Sequence, residues 1–147
     1  MSPISLFVKG LPVAQPRVKF AMIGGFARAY TPAHVKPWKK AICAELYPHV
    51  PQIAHEVAMK VRVCYFFERP KSHYDKKLRL RPSAPAHKVS KPDIENLNKA
   101  ILDAITDSGF WKDDSYVVEM RSFKRWAEPN VFPGALIMIE QFNEQTV

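Results

Sequence analysis

Apolar and polar residues alternate along several stretches of this chain, and alternation with a period of two is typical of strands. It predicts strands over residues 4–9, 56–67, 116–126 and 135–142. A hairpin is expected where residues 18–23 and 26–30 flank a Gly-Gly pair.

Two other stretches repeat apolar residues at helical spacing. The first predicted helix covers residues 36–47, where Pro37 suits the first turn. The second covers residues 93–106 and is followed by Gly109, and its buried stripe is expected to consist of Ile94, Leu97, Ile101 and Ile105. The order of the elements predicts a single α+β domain over residues 1–147, with a mixed β-sheet and two helices.

The longest stretch without apolar periodicity is residues 68–92, between the 56–67 strand and the second helix. From residue 69 to 91 it carries eight basic side chains and one acid, Asp75. A loop of this length in a compact domain is usually functional or mobile.

The charge of the chain is uneven as well as positive. Residues 1–92 hold 17 basic and 4 acidic side chains and residues 93–147 hold 5 and 10, which gives the net +8 of the chain. This excess of cations indicates a polyanionic partner, although uneven surface charge on an ordinary soluble protein is the alternative.

Composition excludes several classes of protein. No apolar run approaches the roughly 18 residues that span a bilayer, and the N-terminus does not resemble a signal peptide. Cys43 and Cys64 cannot form a disulfide scaffold, and the five histidines have no ligand spacing. We therefore expect a cytoplasmic protein with no membrane partner and no small-molecule cofactor.

Four acidic residues surround the second predicted helix. Asp93 and Glu95 fall at its start, and Asp113 and Asp114 fall in the loop that leads to the next strand. Singly, these acids suit a helix cap, a helix dipole and a turn. Converging in a partly desolvated site, they would repel one another unless cations such as Mg²⁺ neutralised them. Beside the basic segment, the second interpretation is favoured.

The motif in this region is Lys-Pro-Asp-Ile-Glu-Asn-Leu-Asn-Lys over residues 91–99, followed by Trp-Lys-Asp-Asp over residues 111–114. It resembles the signature of the RusA family of Holliday-junction resolvases, which is Asp-x-Asp-Asn-Leu-x-Lys and then Trp-x-Asp-Asp. Residues 10–17 and 30–32 are also similar, so the resemblance covers about residues 4–142. Glu95 stands where the family usually has Asp, and Gln15 stands where it often has Lys or Arg.

The resemblance implies a bacterial or phage-encoded homodimeric nuclease that uses Mg²⁺, or Mn²⁺ as a substitute, to cut four-way DNA junctions by symmetric paired nicks. It implies metal binding by Asp93, Glu95, Asp113 and Asp114. Its implied catalytic residues are Asp93, Glu95, Lys99 and Asp114. The basic side chains expected to contact the DNA backbone are Arg17, Lys19, Arg69, Lys71, Lys88 and Lys91.

Two alternatives remain open from the sequence. One is a non-catalytic DNA-junction or single-strand binding protein that kept the fold, with Glu95 marking a lost metal geometry. The other is a less selective nuclease that acts on flaps or replication forks.

Overall fold

The computed structural model describes residues 1–16, 19–30 and 33–143, and within residues 19–30 it describes only the side chains of residues 22 and 24–26. The elements in chain order are β1 (Ile4–Lys9), β2 (Lys19–Ile23), β3 (Phe26–Tyr30), α1 (Lys36–Leu46), β4 (Met59–Phe67), α2 (Ile94–Asp107), β5 (Val117–Trp126) and β6 (Gly134–Gln141). Each predicted strand and helix is therefore confirmed within the described residues, and residue 18 of the predicted hairpin lies outside them.

The largest boundary error is at the start of β4, which begins at Met59 instead of residue 56. The backbone before it pairs elsewhere, because the His55 amide donates to the Phe110 carbonyl and the Lys112 amide donates to the His55 carbonyl, both at 3.0 Å. These bonds hold the loop after α2 against the start of β4.

The main sheet has four strands in the order β1-β6-β4-β5. Strand β6 is antiparallel to β1 and β4, whereas β5 is parallel to β4, so the sheet is mixed as predicted. A parallel pair needs a long crossover connection, and here residues 68–92 together with α2 supply it. Strands β2 and β3 form a separate antiparallel hairpin.

Both helices pack on one face of the main sheet. The buried face of β4 consists of Met59, Val61, Val63, Tyr65 and Phe67. The helix residues in the same core include Trp38, Ile42, Leu46, Leu97, Ile101 and Ile105. Since each fully buried aliphatic side chain stabilises the fold by about 1.5–3 kcal/mol, α2 is a firmly held platform. No described helix combines the length and the apolar character needed to cross a bilayer.

The apolar stripe of α2 differs from the predicted one at its first position. Leu97, Ile101 and Ile105 are fully buried as expected, but Ile94 is 36% exposed. Ile94 lies in the first turn, beside β5, where it borders a groove and not the core. The end of α2 agrees with the prediction, since Gly109 follows it with a φ of 83°.

Residues 68–92 form a loop with its own local structure, which we call the folded loop. Residues Lys71–His73 make a 3-10 turn, and Tyr74 pairs with Leu80 in an isolated antiparallel bridge. Between them, one carboxylate oxygen of Asp75 accepts the backbone amides of Lys77 and Arg79 at 2.9 Å. The Arg79 amide is the main cause of the lowered pKa of Asp75.

Candidate active site

Asp93 occupies the position just before α2, where its extended backbone (φ −70°, ψ 139°) allows its carbonyl to accept the Leu97 amide. Its side chain makes no capping hydrogen bond. Both carboxylate oxygens instead accept from the Lys91 ammonium, at 2.8 and 3.0 Å. The interpretation of Asp93 as a side-chain cap is therefore wrong.

The electrostatics around Asp93 favour its charged form. The hydrogen bond from Lys91 is the largest cause of its lowered pKa, and the charge of Lys124 lowers it further. Asp93 is thus ionised at neutral pH, which is the state needed to bind a cation.

The segment before Asp93 is held by two lysines. Lys124 donates from its ammonium to the carbonyls of Ser90 and Pro92, at 2.8 and 2.9 Å. Lys88 donates to the Ser90 hydroxyl and the Lys91 carbonyl, both at 2.6 Å. Sequence reasoning missed the role of Lys124. The alternation of the predicted strand places this lysine on the side that faces inward, and that unusual position could have singled it out.

A hydrogen-bond chain beneath α2 fixes the helix to two strands. The Tyr65 hydroxyl donates to Asn98 Oδ1 at 2.7 Å, and Asn98 Nδ2 donates to the Ser122 hydroxyl at 2.9 Å. Burial raises the pKa of Tyr65 far above its usual value, so the phenol remains a donor. Sequence reasoning missed these hydrogen bonds as well. Asn98 lies four residues after Ile94 on the otherwise apolar side of the predicted helix, and an amide at that position could have indicated them.

The loop that carries Asp113 and Asp114 is anchored in the core. Phe110 and Trp111 are both buried, so this aromatic pair packs in the core. The Trp111 indole donates to the Thr106 hydroxyl at 2.7 Å. The direction in which the chain leaves α2 is therefore fixed.

Asp113 and Asp114 differ in their electrostatic environments. The Ser115 hydroxyl is the main cause of the lowered pKa of Asp113. The pKa of Asp114 is raised, first by burial and then by the charges of Asp113 and Asp103. Asp103, in the third turn of α2, was not among the predicted site residues, although it follows Glu95 and Lys99 at i, i+4 steps. Like charges and desolvation both disfavour the ionised form of a carboxylate, and a bound cation would offset that cost.

The four predicted metal ligands share the right donor chemistry, because each offers a hard carboxylate oxygen of the kind that Mg²⁺ binds. Within residues 1–16, 19–30 and 33–143, however, no three acidic, histidine or cysteine side chains gather closely enough to hold a metal ion. Asp93 is paired with Lys91, and the helix carboxylate that acts on Asp114 is Asp103. The assignment of Asp93, Glu95, Asp113 and Asp114 to a metal stays a prediction.

Lys99 is exposed on α2, one turn beyond Glu95. In the described part of the chain the two side chains form no ion pair, although residues at i and i+4 face each other on a helix. The Lys99 ammonium therefore has no internal carboxylate to neutralise it there. Its catalytic role stays a prediction.

Comparison with known proteins decides the family. The family model described as "Endodeoxyribonuclease RusA" matches residues 9–140. The chain belongs to the RusA family. This membership confirms the resemblance stated from the sequence motif.

Individual relatives of this RusA-family chain are of two kinds. The uncharacterized protein YqaN of Bacillus subtilis (strain 168) is 29% identical over 143 residues, covering 96% of this chain and 98% of that protein. The crossover junction endodeoxyribonuclease RusA of Escherichia coli (strain K12) is 42% identical over 48 residues, covering 33% of this chain and 38% of that protein. The protein of the same name from Enterobacteria phage 82 gives the same identity and coverage.

Two of the basic residues predicted to contact DNA also hold the folded loop together. Arg69 donates to the Pro85 carbonyl at 2.8 Å, and its guanidinium lies 5.2 Å from the ring of Trp126. The Lys88 ammonium lies 5.2 Å from the same ring. Their aromatic platform, Trp126, is a further residue that sequence reasoning did not single out.

The other four predicted DNA contacts have different settings. Lys71 is exposed in the 3-10 turn, and Lys91 is the partner of Asp93. Arg17 lies outside the described residues, and Lys19 lies in β2 with its side chain outside the description. DNA contact by all six stays a prediction.

Proposed function

We propose that this RusA-family protein is an endodeoxyribonuclease that resolves four-way DNA junctions by hydrolysing one phosphodiester bond in each of two opposed strands. Family membership over residues 9–140 and the partial similarity to E. coli RusA support this activity. The observation that carries it is the setting of Asp93, an ionised carboxylate at the start of α2 that makes no capping hydrogen bond to the helix. Three lysines, Lys88, Lys91 and Lys124, contact Asp93 or the backbone just before it.

The proposed reaction depends on Mg²⁺ held by Asp93, Glu95 and Asp114, with Asp113 adjacent. When bound, the ion supplies an activated water and neutralises charge on the phosphate. The protein contributes orientation, since Lys88 and Lys124 fix the backbone that carries Asp93. The exposed ammonium of Lys99 stabilises the negative charge that builds on the phosphate oxygens in the transition state.

The proposed active form is a homodimer, because two symmetry-related sites match the approximate two-fold symmetry of a four-way junction. We assign the interface to the open face, which is the part of the sheet surface opposite the helices that β1, β6 and β4 form. It includes Phe7, Phe66, Leu136 and Met138, and it leaves the edge strand β5 outside the interface. The rings of Phe7 and Phe66 lie 6.4 Å apart there, and Met138 is 37% exposed. The same face carries the Lys60–Glu140 ion pair. It therefore offers apolar groups together with positive and negative charges, and a self-complementary interface needs both kinds of charge.

Light scattering on size-exclusion fractions tests the dimer. The wild type should elute at twice the mass of the chain, and Met138→Glu should shift it toward the monomer. A monomeric wild type would contradict the assignment of the open face and the paired-nick geometry together.

Cleavage assays on labelled four-way junction, flap and duplex DNA, with and without Mg²⁺, test the activity. Asp93→Asn should lower the cleavage rate at least about 100-fold, since loss of a charge that stabilises a transition state costs at least this much. Junction affinity should survive. Asp107→Asn is the matched control, because Asp107 lies at the other end of α2 and, like Asp93, pairs with a lysine, here Lys39 at 2.8 Å.

The other outcomes select the alternatives. A protein that binds the junction but cuts in no metal would be the binding protein that kept the fold. The arrangement of the described carboxylates, which forms no group of three, is the observation that favours it. Equal cleavage of flap and junction would indicate the less selective nuclease.

A further inference from the structure

A groove lies between the outer side of β5 and the folded loop of residues 68–92. We call it the edge groove. It has a volume of about 840 Å³, and the lining residues that matter below are Arg69, Leu78, Leu80, Lys88, Phe123 and Arg125. Because β5 is an edge strand, it leaves this side of the sheet without a neighbouring strand.

The charge of the edge groove is strongly positive. Its lining contains four lysine and arginine side chains and one acid, Glu128. The pKa of Lys88 is lowered by burial and also by the charge of Lys124, so two ammonium groups repel each other across this wall. An anionic ligand would relieve that repulsion, which makes an acidic or phosphate-bearing occupant the best match.

The edge groove also exposes apolar surface. Phe123 is 50% exposed, with the Arg125 guanidinium 5.5 Å from its ring centroid. On the loop side, Leu78 is 83% exposed and Leu80 is 51% exposed. These leucines are held in place by the Tyr74–Leu80 bridge. A phosphate backbone alone would leave this apolar surface in water.

One ligand class satisfies both properties. An unpaired nucleotide has a flat apolar base and a phosphate charge, and single-strand binding proteins hold it with aromatic side chains in basic grooves. An apolar peptide added to the edge of β5 would cover the leucines, but it would leave the cations unneutralised.

The edge groove begins at the proposed active site. Ile94, the residue immediately after Asp93, lines it. Lys124, which holds the backbone on the other side of Asp93, lines it as well. A DNA strand with one phosphate at Asp93 would therefore have its neighbouring nucleotides at the mouth of the groove.

We propose that the edge groove binds one unstacked nucleotide of the strand that is cut, with its base against Phe123 and its phosphate beside Arg125 and Lys88. This inference rests on the proposed function, and it adds a contact to a base where a junction nuclease could otherwise hold only the backbone. Phe123 then helps to select which nucleotide lies next to the cleaved bond.

The test is a binding cycle without metal, so that it does not depend on cleavage. A four-way junction is prepared with a single abasic site at each nucleotide near the crossover in turn, and its dissociation constant is measured in EDTA. In the wild type, one abasic position should weaken binding about 5- to 150-fold, which is the range for loss of one base stacked on an aromatic ring. Phe123→Ala should weaken binding of the intact junction by a similar factor and should be insensitive to that abasic position.

Two further variants control for general effects. Phe123→Trp keeps an aromatic surface and should retain the sensitivity to the abasic position. Tyr47→Ala removes an aromatic ring that is 79% exposed and does not line the groove, and it should behave as the wild type. Abasic profiles that coincide in the wild type and Phe123→Ala would overturn the inference.

The abasic-site binding cycle tests the nucleotide site, whereas the cleavage assay tests the nuclease activity, so the two proposals can be refuted independently. A wild type that cuts junctions but shows no coupling between Phe123 and any base would leave the nuclease proposal standing and remove the nucleotide site. Coupling without cleavage in any metal would keep the nucleotide site and remove the nuclease proposal. A protein that binds neither intact nor abasic junctions would overturn both.

Discussion

Removal of one buried hydroxyl group measures how firmly the proposed catalytic helix is held. Tyr65 is fully buried, and its hydroxyl donates to Asn98 at 2.7 Å. Tyr65→Phe deletes the donor and leaves the Asn98 carbonyl oxygen without it, whereas the bond from Asn98 to Ser122 can persist. An unsatisfied buried polar group costs about 1–3 kcal/mol. Asn98 is only partly buried, so the lower part of this range, about 1–2 kcal/mol, is expected.

Urea and thermal unfolding at neutral pH measure this loss. For a chain of this size a loss of about 1–2 kcal/mol lowers Tm by about 2–8 °C. Tyr47→Phe removes the same hydroxyl from an exposed ring and should change the free energy of unfolding by less than about 0.5 kcal/mol. If the two variants were equally stable, the Tyr65–Asn98–Ser122 chain would not be what fixes α2 to the sheet.

Three other substitutions test the charges around α2. Lys124→Met removes the donor to Pro92 and should lower kcat about 10- to 100-fold by misplacing Asp93, with partial rescue by Lys124→Arg in the junction cleavage assay. Glu95→Asp restores the usual family residue and should keep or raise kcat, so an inactive variant would show that the site requires the longer side chain. Ionisation of Asp114 is unfavourable in the folded protein because its pKa is raised, and this penalty is complete above the raised value. Asp114→Asn should therefore increase stability at pH 7 by less than about 1 kcal/mol, and unfolding curves should show that this advantage shrinks as the pH falls below the raised pKa and is lost below about pH 3.8.

Local periodicity was sufficient to predict the regular elements. Strand β4 alternates over its whole length, and α2 repeats Leu97, Ile101 and Ile105 at helical spacing, so each pattern determines which side is buried. Ile94 was assigned wrongly because the first turn of α2 extends beyond the core into the edge groove. Periodicity identifies a face of a helix, but it does not show where the neighbouring element ends.

The contacts of the candidate site were largely beyond sequence reasoning. The motif identified Asp93, but its pairing with Lys91 depends on the direction of a side chain. Lys124 acts on a backbone segment more than thirty residues earlier, and such contacts have no fixed spacing. Asp103 was overlooked for a related reason, since its effect on Asp114 depends on how the loop after α2 folds back.

The loop of residues 68–92 is fastened at both ends, and this has a consequence for how related chains can diversify. Arg69 bonds to Pro85 near its beginning, and Lys124 bonds to Ser90 and Pro92 at its end. Insertions between these two anchors would lengthen the tip at an entropic cost that grows only slowly with length. The anchor next to Asp93 would not move. Related chains could thus acquire new surface on this loop while Asp93 of the proposed site kept its place.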